Sequence, residues 1–120
     1  MLFVNDALRY FLYRHPADMC KSFYSLAALV TEHMKGDPLS GDVFIFISRR
    51  HNQIKLLRWE GDGFAIYTKR LEKGTYEIPS HHDNASFVLS HQQLLLILQG
   101  ISLKQIHYRK RFEYKQPVCG

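Results

Sequence analysis

The sequence has only two cysteines among its 120 residues, Cys20 and Cys119, and neither lies in a CxxC or Cys/His spacing. This scarcity argues against a zinc site, and it predicts that no structural disulfide forms in a reducing compartment. Long hydrophobic runs are also missing, and the first residues lack the order of a signal peptide, so we expect no membrane span and no export. These absences together predict a cytoplasmic protein.

Motifs for catalysis are missing as well. No serine or cysteine sits in a nucleophile motif, no glycine-rich loop precedes a predicted helix, and the carboxylates show no pairing typical of DDE transposases. The one tight histidine cluster, His81-His82-Asp83, is interpreted as a polar loop, because adjacent side chains on an extended chain point in different directions. The sequence predicts that the protein is not an enzyme and has no cofactor, no metal and no small-molecule substrate.

The formal net charge of +5 is concentrated in two parts of the chain. Residues 49–73 hold seven Lys or Arg against three Asp or Glu, and residues 104–120 hold five against one. Residues 74–103 contain no Lys or Arg, and residues 1–48 are nearly balanced. Two basic regions separated by an acidic one predict a polarised surface rather than a uniformly basic coat.

The chain has the length and the 46% apolar content of one domain that buries a core without disulfides or metals. Apolar residues recur at helical spacing from Met19 to Met34, after a candidate N-cap at Asp18 and before a stop at Gly36. This pattern predicts a long helix over residues 19–34.

Short β-rich runs separated by turn residues come next in the chain. They predict strands at residues 43–48, 53–60, 64–70 and 76–78. The first run is apolar on both faces, so we expect it to be central or covered on both sides. Ser90 then caps a shorter C-terminal helix near residues 91–99. The predicted fold class is α+β, a single-domain antiparallel meander of about four or five strands with the long helix packed on it. Residues 1–103 form this domain, and residues 104–120 are predicted to be a basic tail that is mobile on its own.

A strip of lysines and aromatic rings is predicted on the hairpin of the second and third strands. If residues 61–63 form a three-residue loop, one solvent-facing side carries Lys55, Trp59, Tyr67 and Lys69. The core side then carries Ile54, Leu56, Phe64, Ile66 and Thr68. Lysines contact phosphates and aromatic rings stack on bases or sugars, although lysines on a half-exposed sheet also serve solubility alone.

Two further basic features are candidates for nucleic-acid contact. Arg49 and Arg50 lie in a predicted strand-to-strand turn, where their guanidiniums can reach phosphates or a base edge. The run at residues 108–112 alternates basic and aromatic side chains, and it either orders along a nucleic-acid backbone or stays a solvated tail. The predicted nucleic-acid-binding residues are Arg49, Arg50, Lys55, Arg58, Trp59, Tyr67, Lys69, Arg70 and Lys73.

Four segments of the chain resemble one known family. They are FYSLAALV at residues 23–30, GDPLSGDVFIF at 36–46, IKLLRWEGDG at 54–63 and KRLEKG at 69–74. Through these motifs, residues 10–103 resemble TnpB, the accessory protein encoded by the second open reading frame of bacterial insertion sequences of family sixty-six. The unbroken order of several motifs makes the resemblance specific.

The resemblance implies a protein of a bacterial mobile genetic element that acts beside a separate transposase and has no established enzymatic activity. It directs attention to the family's basic and turn positions, which are Arg49, Arg50, Lys55, Trp59, Lys69, Arg70 and Gly74. The chain departs from the family at residues 51–53, where His-Asn-Gln replaces a charged pair, and at Arg58, where an aromatic residue is frequent.

We therefore expect a non-enzymatic accessory protein that binds DNA to assist transposition, with DNA and the transposase of the same element as its partners. The alternative is a protein-interaction module in which Trp59, Tyr67 and nearby apolar surface dock the transposase without DNA contact. In that case the basic residues only tune solubility and encounter rate.

Overall fold

A five-stranded β-sheet forms the centre of the structure, a computed structural model that describes residues 5–78 and 86–99. The elements in chain order are β1 (Tyr10–Tyr13), α1 (Phe23–Glu32), β2 (Val43–Ile47), β3 (Gln53–Trp59), β4 (Phe64–Arg70), β5 (Ser86–Leu89) and α2 (His91–Leu98). The strands lie in the order β4-β3-β2-β1-β5. The predicted α+β class is confirmed, whereas the predicted tail at 104–120 and the cluster at 81–83 lie outside the described residues.

The sheet is mixed, which corrects the prediction of a purely antiparallel meander. β1 runs parallel to β2, with Tyr10 opposite Val43, whereas β1–β5, β2–β3 and β3–β4 are antiparallel. The reason is the long connection between β1 and β2, which contains α1. This crossover connection returns the chain to the end of the sheet where β1 began, so β2 runs in the same direction as β1. Tyr10–Tyr13 is not among the predicted strands, because a run of four apolar residues shows no period.

β2 lies at the middle of the sheet, and all five of its residues are buried. On one side of the sheet, Phe44 and Phe46 pack with Leu26 and Val30 of α1. On the other side, the remaining β2 side chains pack in a cluster that includes Leu94 and Ile97 of α2. The prediction that this strand is central and covered on both sides is confirmed, and we refer to its two faces as the α1 side and the α2 side.

The β3–β4 hairpin has a register one residue away from the predicted one. The Glu60 N–H donates to the Gly63 carbonyl at 2.9 Å, which leaves Gly61 and Asp62 as a two-residue loop. Gly61 has φ +97°, the left-handed backbone that such loops require. Trp59 therefore pairs with Phe64, not with Ala65.

The changed register moves every β4 side chain to the other face of the sheet. Lys55 and Trp59 share the α1 side with Phe64, whereas Tyr67 and Lys69 lie on the α2 side. The predicted strip of lysines and rings on one solvent-facing side is therefore wrong. Both sides of the hairpin contribute to the core, since Leu57 packs toward α1 and Leu56 packs toward α2.

α1 is shorter than predicted, at ten residues, because its N-cap is Ser22 rather than Asp18. The Ser22 hydroxyl accepts a hydrogen bond from the Ser25 N–H, and the Asp18 carboxylate instead accepts one from the Cys20 N–H in a preceding turn. At the other end, the helix stops at Glu32 rather than at Met34. In the described part of the chain, neither helix has the length and hydrophobicity needed to cross a membrane.

The shorter helix was predicted correctly. α2 begins after Ser90, whose hydroxyl accepts from the Gln93 N–H while the Gln93 side chain accepts from the Ser90 N–H, a reciprocal capping box. The predicted strand at residues 76–78 is wrong, since these described residues are irregular. They cross behind the β2–β3 turn, where the Tyr76 side chain is fully buried.

Candidate nucleic-acid interface

An open cleft of about 640 Å³ lies at one edge of the sheet. β1, β2 and β4 run in the same direction, so their carboxyl ends meet at this edge, a common location for binding sites in sheets with parallel strands. The walls come from the β1–α1 connection, the β2–β3 turn and the end of β4. We call it the basic cleft, because its lining includes the cations Lys21, Arg49, Arg50 and Arg70.

The β2–β3 turn presents two of these guanidiniums. The His51 N–H donates to the Ser48 carbonyl at 2.9 Å, so Arg49 and Arg50 occupy the two central positions of a β-turn. His51 follows in the left-handed region at φ 60°, and the Ser48 N–H donates to the Gln53 carbonyl to restart the ladder. Arg49 and Arg50 are both exposed, as expected for side chains at the tip of a turn.

The chain after β4 supports this turn from behind. The Leu71 N–H donates to the Asn52 carbonyl at 2.7 Å, and the Tyr76 N–H donates to the His51 carbonyl at 2.6 Å. Burial, with a smaller contribution from Tyr67, raises the pKa of Tyr76 to about 12. The turn is thus fixed by backbone hydrogen bonds, so its two arginines start from a defined position.

The β1–α1 connection forms the opposite wall. It is tied to the sheet by the Ala17 N–H, which donates to the Ile47 carbonyl at 3.0 Å. Asp18 is the one carboxylate among the described residues that line the cleft, and its oxygen is occupied by the Cys20 N–H at 2.9 Å. The charge of the cleft is therefore dominated by its cations.

The cleft arginines have no carboxylate partner among the described residues. Two ion pairs lie beside the other ends of these strands, where Arg9 meets Asp42 at 2.8 Å and Arg58 meets Glu60 at 3.9 Å. Hydrogen bonding and attraction to Asp42 raise the pKa of Arg9. Guanidiniums without an internal partner can take external anions, and phosphate oxygens match their fork geometry.

The structure brings together some of the predicted site residues and separates others. Arg49, Arg50 and Arg70 line the cleft, although Arg70 is 20 positions from Arg50 in the chain. Lys55 is half-buried, and its Nζ donates to the Lys21 carbonyl at 3.3 Å, so it supports the cleft wall. Lys73 is exposed in the segment after β4.

The remaining predicted residues lie away from the cleft. Arg58 is half-buried, and its Nε donates to the Gly41 carbonyl at 3.0 Å near the start of β2. Tyr67 packs against the α2-side core, and Lys69 is exposed on that same side. Trp59 packs edge to face on Phe64, with ring centroids 5.0 Å apart.

Lys21 is a cleft residue that was not predicted from the sequence. It lies in the part of the chain without excess positive charge, and the predicted helix over 19–34 placed it on a helix surface. The signal that could have found it was Ser22, which is as good an N-cap as Asp18 and precedes apolar spacing that continues from Phe23. A later helix start leaves Lys21 in the connection that follows β1.

Comparison with known proteins places the chain in a family. The sequence model of the family described as IS66 Orf2 like protein matches residues 8–108. The uncharacterised protein y4jC of Sinorhizobium fredii is 29% identical over 118 residues, which cover 98% of this chain and 97% of that protein. A second Sinorhizobium fredii protein, y4hO, also uncharacterised, is 38% identical over 84 residues, covering 70% of this chain and 72% of that protein. No solved structure matches the chain significantly.

Proposed function

Since this chain belongs to the IS66 Orf2-like family of insertion-sequence accessory proteins, we propose that it assists transposition by binding DNA through the basic cleft. The observation that carries this proposal is the convergence of four cations from three separate stretches of chain on one open cleft. Contacts to DNA phosphates supply most of the affinity of non-specific binding, and Arg and Lys side chains make them.

The accessible charges of the cleft and its surroundings define the proposed interface. Arg49, Arg50 and Arg70 are exposed and contact phosphates directly, and Lys21 adds a fourth positive charge in the opposite wall. Lys73, exposed in the segment after β4, extends the positive surface. Arg58 and Tyr67 are left out of the proposed interface, because their side chains are engaged within the fold.

The test is a salt-titrated binding assay on the full chain, with duplex DNA from the element end and an unrelated duplex of the same length. Affinity is expected to fall steeply with salt for both sequences, because phosphate contacts are shared by all DNA. Tighter binding to the element-end duplex at equal salt would show that the protein contacts bases as well as phosphates. No measurable binding at low salt to either duplex, or to the separated strands of either duplex, would contradict the proposal.

A transposase-docking module is the second candidate, and the exposed rings of Phe23 and Tyr24 favour it. Exposed aromatic side chains are frequent anchors of protein interfaces. A pulldown between the separately purified transposase and this chain after nuclease treatment distinguishes the two functions. A complex that survives nuclease, together with a chain that ignores DNA, supports docking and contradicts DNA binding.

A further inference from the structure

Four aromatic rings meet on the α1 side of the sheet, where the first turn of α1 approaches the β3–β4 hairpin. Phe23 and Tyr24 come from the helix, and Phe64 and Trp59 come from the hairpin. Ring centroids are 4.6 Å apart for Phe23–Tyr24, 6.0 Å for Phe23–Phe64 and 6.3 Å for Tyr24–Phe64. We call this group the aromatic cluster.

Much of the aromatic cluster faces solvent rather than the core. Tyr24 is 70% exposed and Phe23 is 37% exposed, whereas Leu26 in the next turn of the helix is fully buried. Rings that leave this much surface in water contribute little to core packing, and grouped apolar surface of this kind marks a binding site more often than isolated exposed residues do. The cluster is therefore a candidate surface for a ligand with flat apolar faces.

The cluster is continuous with the basic cleft. Lys21 lines the cleft and precedes Phe23 by two residues, and the Lys55 ammonium lies between the two regions, bonded to the Lys21 carbonyl. Along β4, Arg70 and Phe64 face the α1 side and are six residues apart, a distance of about 20 Å at the usual strand rise. A polyanion lying in the cleft thus meets the rings farther along the same face.

Among the described residues, the negative charge on this surface lies at its two ends, with Asp18 in the cleft wall and two carboxylates in the hairpin loop. The hairpin loop beyond Trp59 and Phe64 carries Glu60 and Asp62, and Glu60 lies 3.9 Å from an Arg58 nitrogen. Between the rings and the cleft, the α1-facing side chains of the hairpin include no carboxylate; they are Leu57 and Lys55 of β3 and Ile66 and Thr68 of β4. The charge pattern favours an anionic strand that extends from the cleft to the rings and stops before the loop.

We propose that the aromatic cluster is a stacking platform for unpaired bases, so that the DNA taken by this protein is single-stranded. The proposal rests on the proposed function, since the basic cleft holds the backbone of the same strand. Every base has a π-face that stacks on an aromatic side chain, whereas the bases of a duplex are already stacked on one another. Tyr24, with the most exposed ring, is the principal stacking residue.

The experiment measures anisotropy for three probes of equal length: a single strand from the element end, the same strand made of abasic nucleotides, and the duplex. Tyr24→Ala is expected to lower affinity for the base-containing single strand about tenfold and to leave affinity for the abasic strand and the duplex within about twofold. Tyr24→Trp is expected to retain affinity, and Tyr24→Leu, which keeps apolar bulk without a ring, is expected to lose it. Leu39→Ala removes a 55% exposed apolar side chain outside the cluster and is the matched control, expected to bind as the natural chain does.

Failure of this proposal is distinguishable from failure of the proposed function. If Arg49→Gln with Arg50→Gln weakens binding to all three probes while Tyr24→Ala changes none, the cleft binds DNA and the stacking platform is wrong. If neither variant changes binding, the proposed function is wrong as well. If Tyr24→Leu binds the single strand normally, or if Tyr24→Ala disrupts only a nuclease-resistant complex with the transposase, the cluster is an apolar protein-docking surface and the stacking proposal is overturned.

Discussion

Neutralising the three cleft arginines together gives the sharpest test of the proposed DNA interface. In the variant with Arg49→Gln, Arg50→Gln and Arg70→Gln, each side chain keeps polar atoms and most of its length, and all three positions are exposed. Surface substitutions of this kind change the free energy of unfolding by no more than about 0.5 kcal/mol, so a folded protein is expected. Changes in DNA binding then report on the missing charge rather than on unfolding.

The magnitude follows from the number of phosphate groups that the arginines neutralise. Each neutralised phosphate of duplex DNA contributes about 0.9 to the slope of log affinity against log salt concentration, so a variant that neutralises three fewer phosphates has a slope lower by about 2.7. Between about 50 and about 200 mM salt, the affinity of the natural chain is therefore expected to fall about 40-fold more than that of the variant. The effect is expected for every DNA sequence alike, because phosphates carry no sequence information.

Fluorescence anisotropy across a salt series measures both slopes. Lys35→Gln is the control for a single charge, because Lys35 is exposed beside the amino ends of β1 and β2, whereas Arg70 lines the cleft at the carboxyl end of β4. Arg70→Gln is expected to lower the slope by about 0.9 and Lys35→Gln to leave it unchanged. If the triple variant keeps the natural slope and affinity, or if Lys35→Gln has as large an effect as Arg70→Gln, the basic cleft is not the interface.

Three further predictions concern the tail, the core and a buried hydroxyl. Ending the chain at Leu103 removes a net charge of +4, so non-specific affinity for DNA should fall in the anisotropy assay. Any preference for element-end DNA should remain. Loss of that preference would assign base reading to residues 104–120. Leu57→Ala, at a fully buried site of the α1-side core, should lower the free energy of unfolding by about 2 to 5 kcal/mol in urea denaturation, and a cost under about 1 kcal/mol would contradict the packing described. Because burial raises the pKa of Tyr76 to about 12, its phenol ionises more readily in the unfolded chain, and stability should fall as pH rises from about 10 through 12. In Tyr76→Phe, the fall in stability between about pH 10 and 12 should disappear. The substitution should cost little stability at neutral pH, since the Tyr76 hydroxyl has no hydrogen-bond partner among the described residues. An unchanged pH profile would refute the assignment of this pH dependence to Tyr76.

Features set by neighbouring residues were predictable from the sequence. The N-cap at Ser90, the β3–β4 hairpin around its glycines and the doubly covered β2 depend on the preferences of a few adjacent side chains, and the structure contains all three. The helix over 19–34 was predicted in kind but not in extent, because Asp18 and Ser22 are both good N-caps and the apolar spacing fits either start. The turn at Arg49 and Arg50 was likewise predicted, since a break in β-rich sequence suffices to locate it.

Residues close together in the chain thus set where it turns, which segments are apolar enough to be buried and where positive charge accumulates. The parallel pairing of β1 with β2 emerged from long-range packing alone, since a run of four apolar residues does not specify its partner. The hairpin register was likewise decided by the tertiary structure, because a shift of one residue places Trp59 and Tyr67 on opposite faces of the sheet. The basic cleft exists because the carboxyl ends of three strands meet at one edge of the sheet, which brings Lys21 and Arg70 together across 49 positions of sequence.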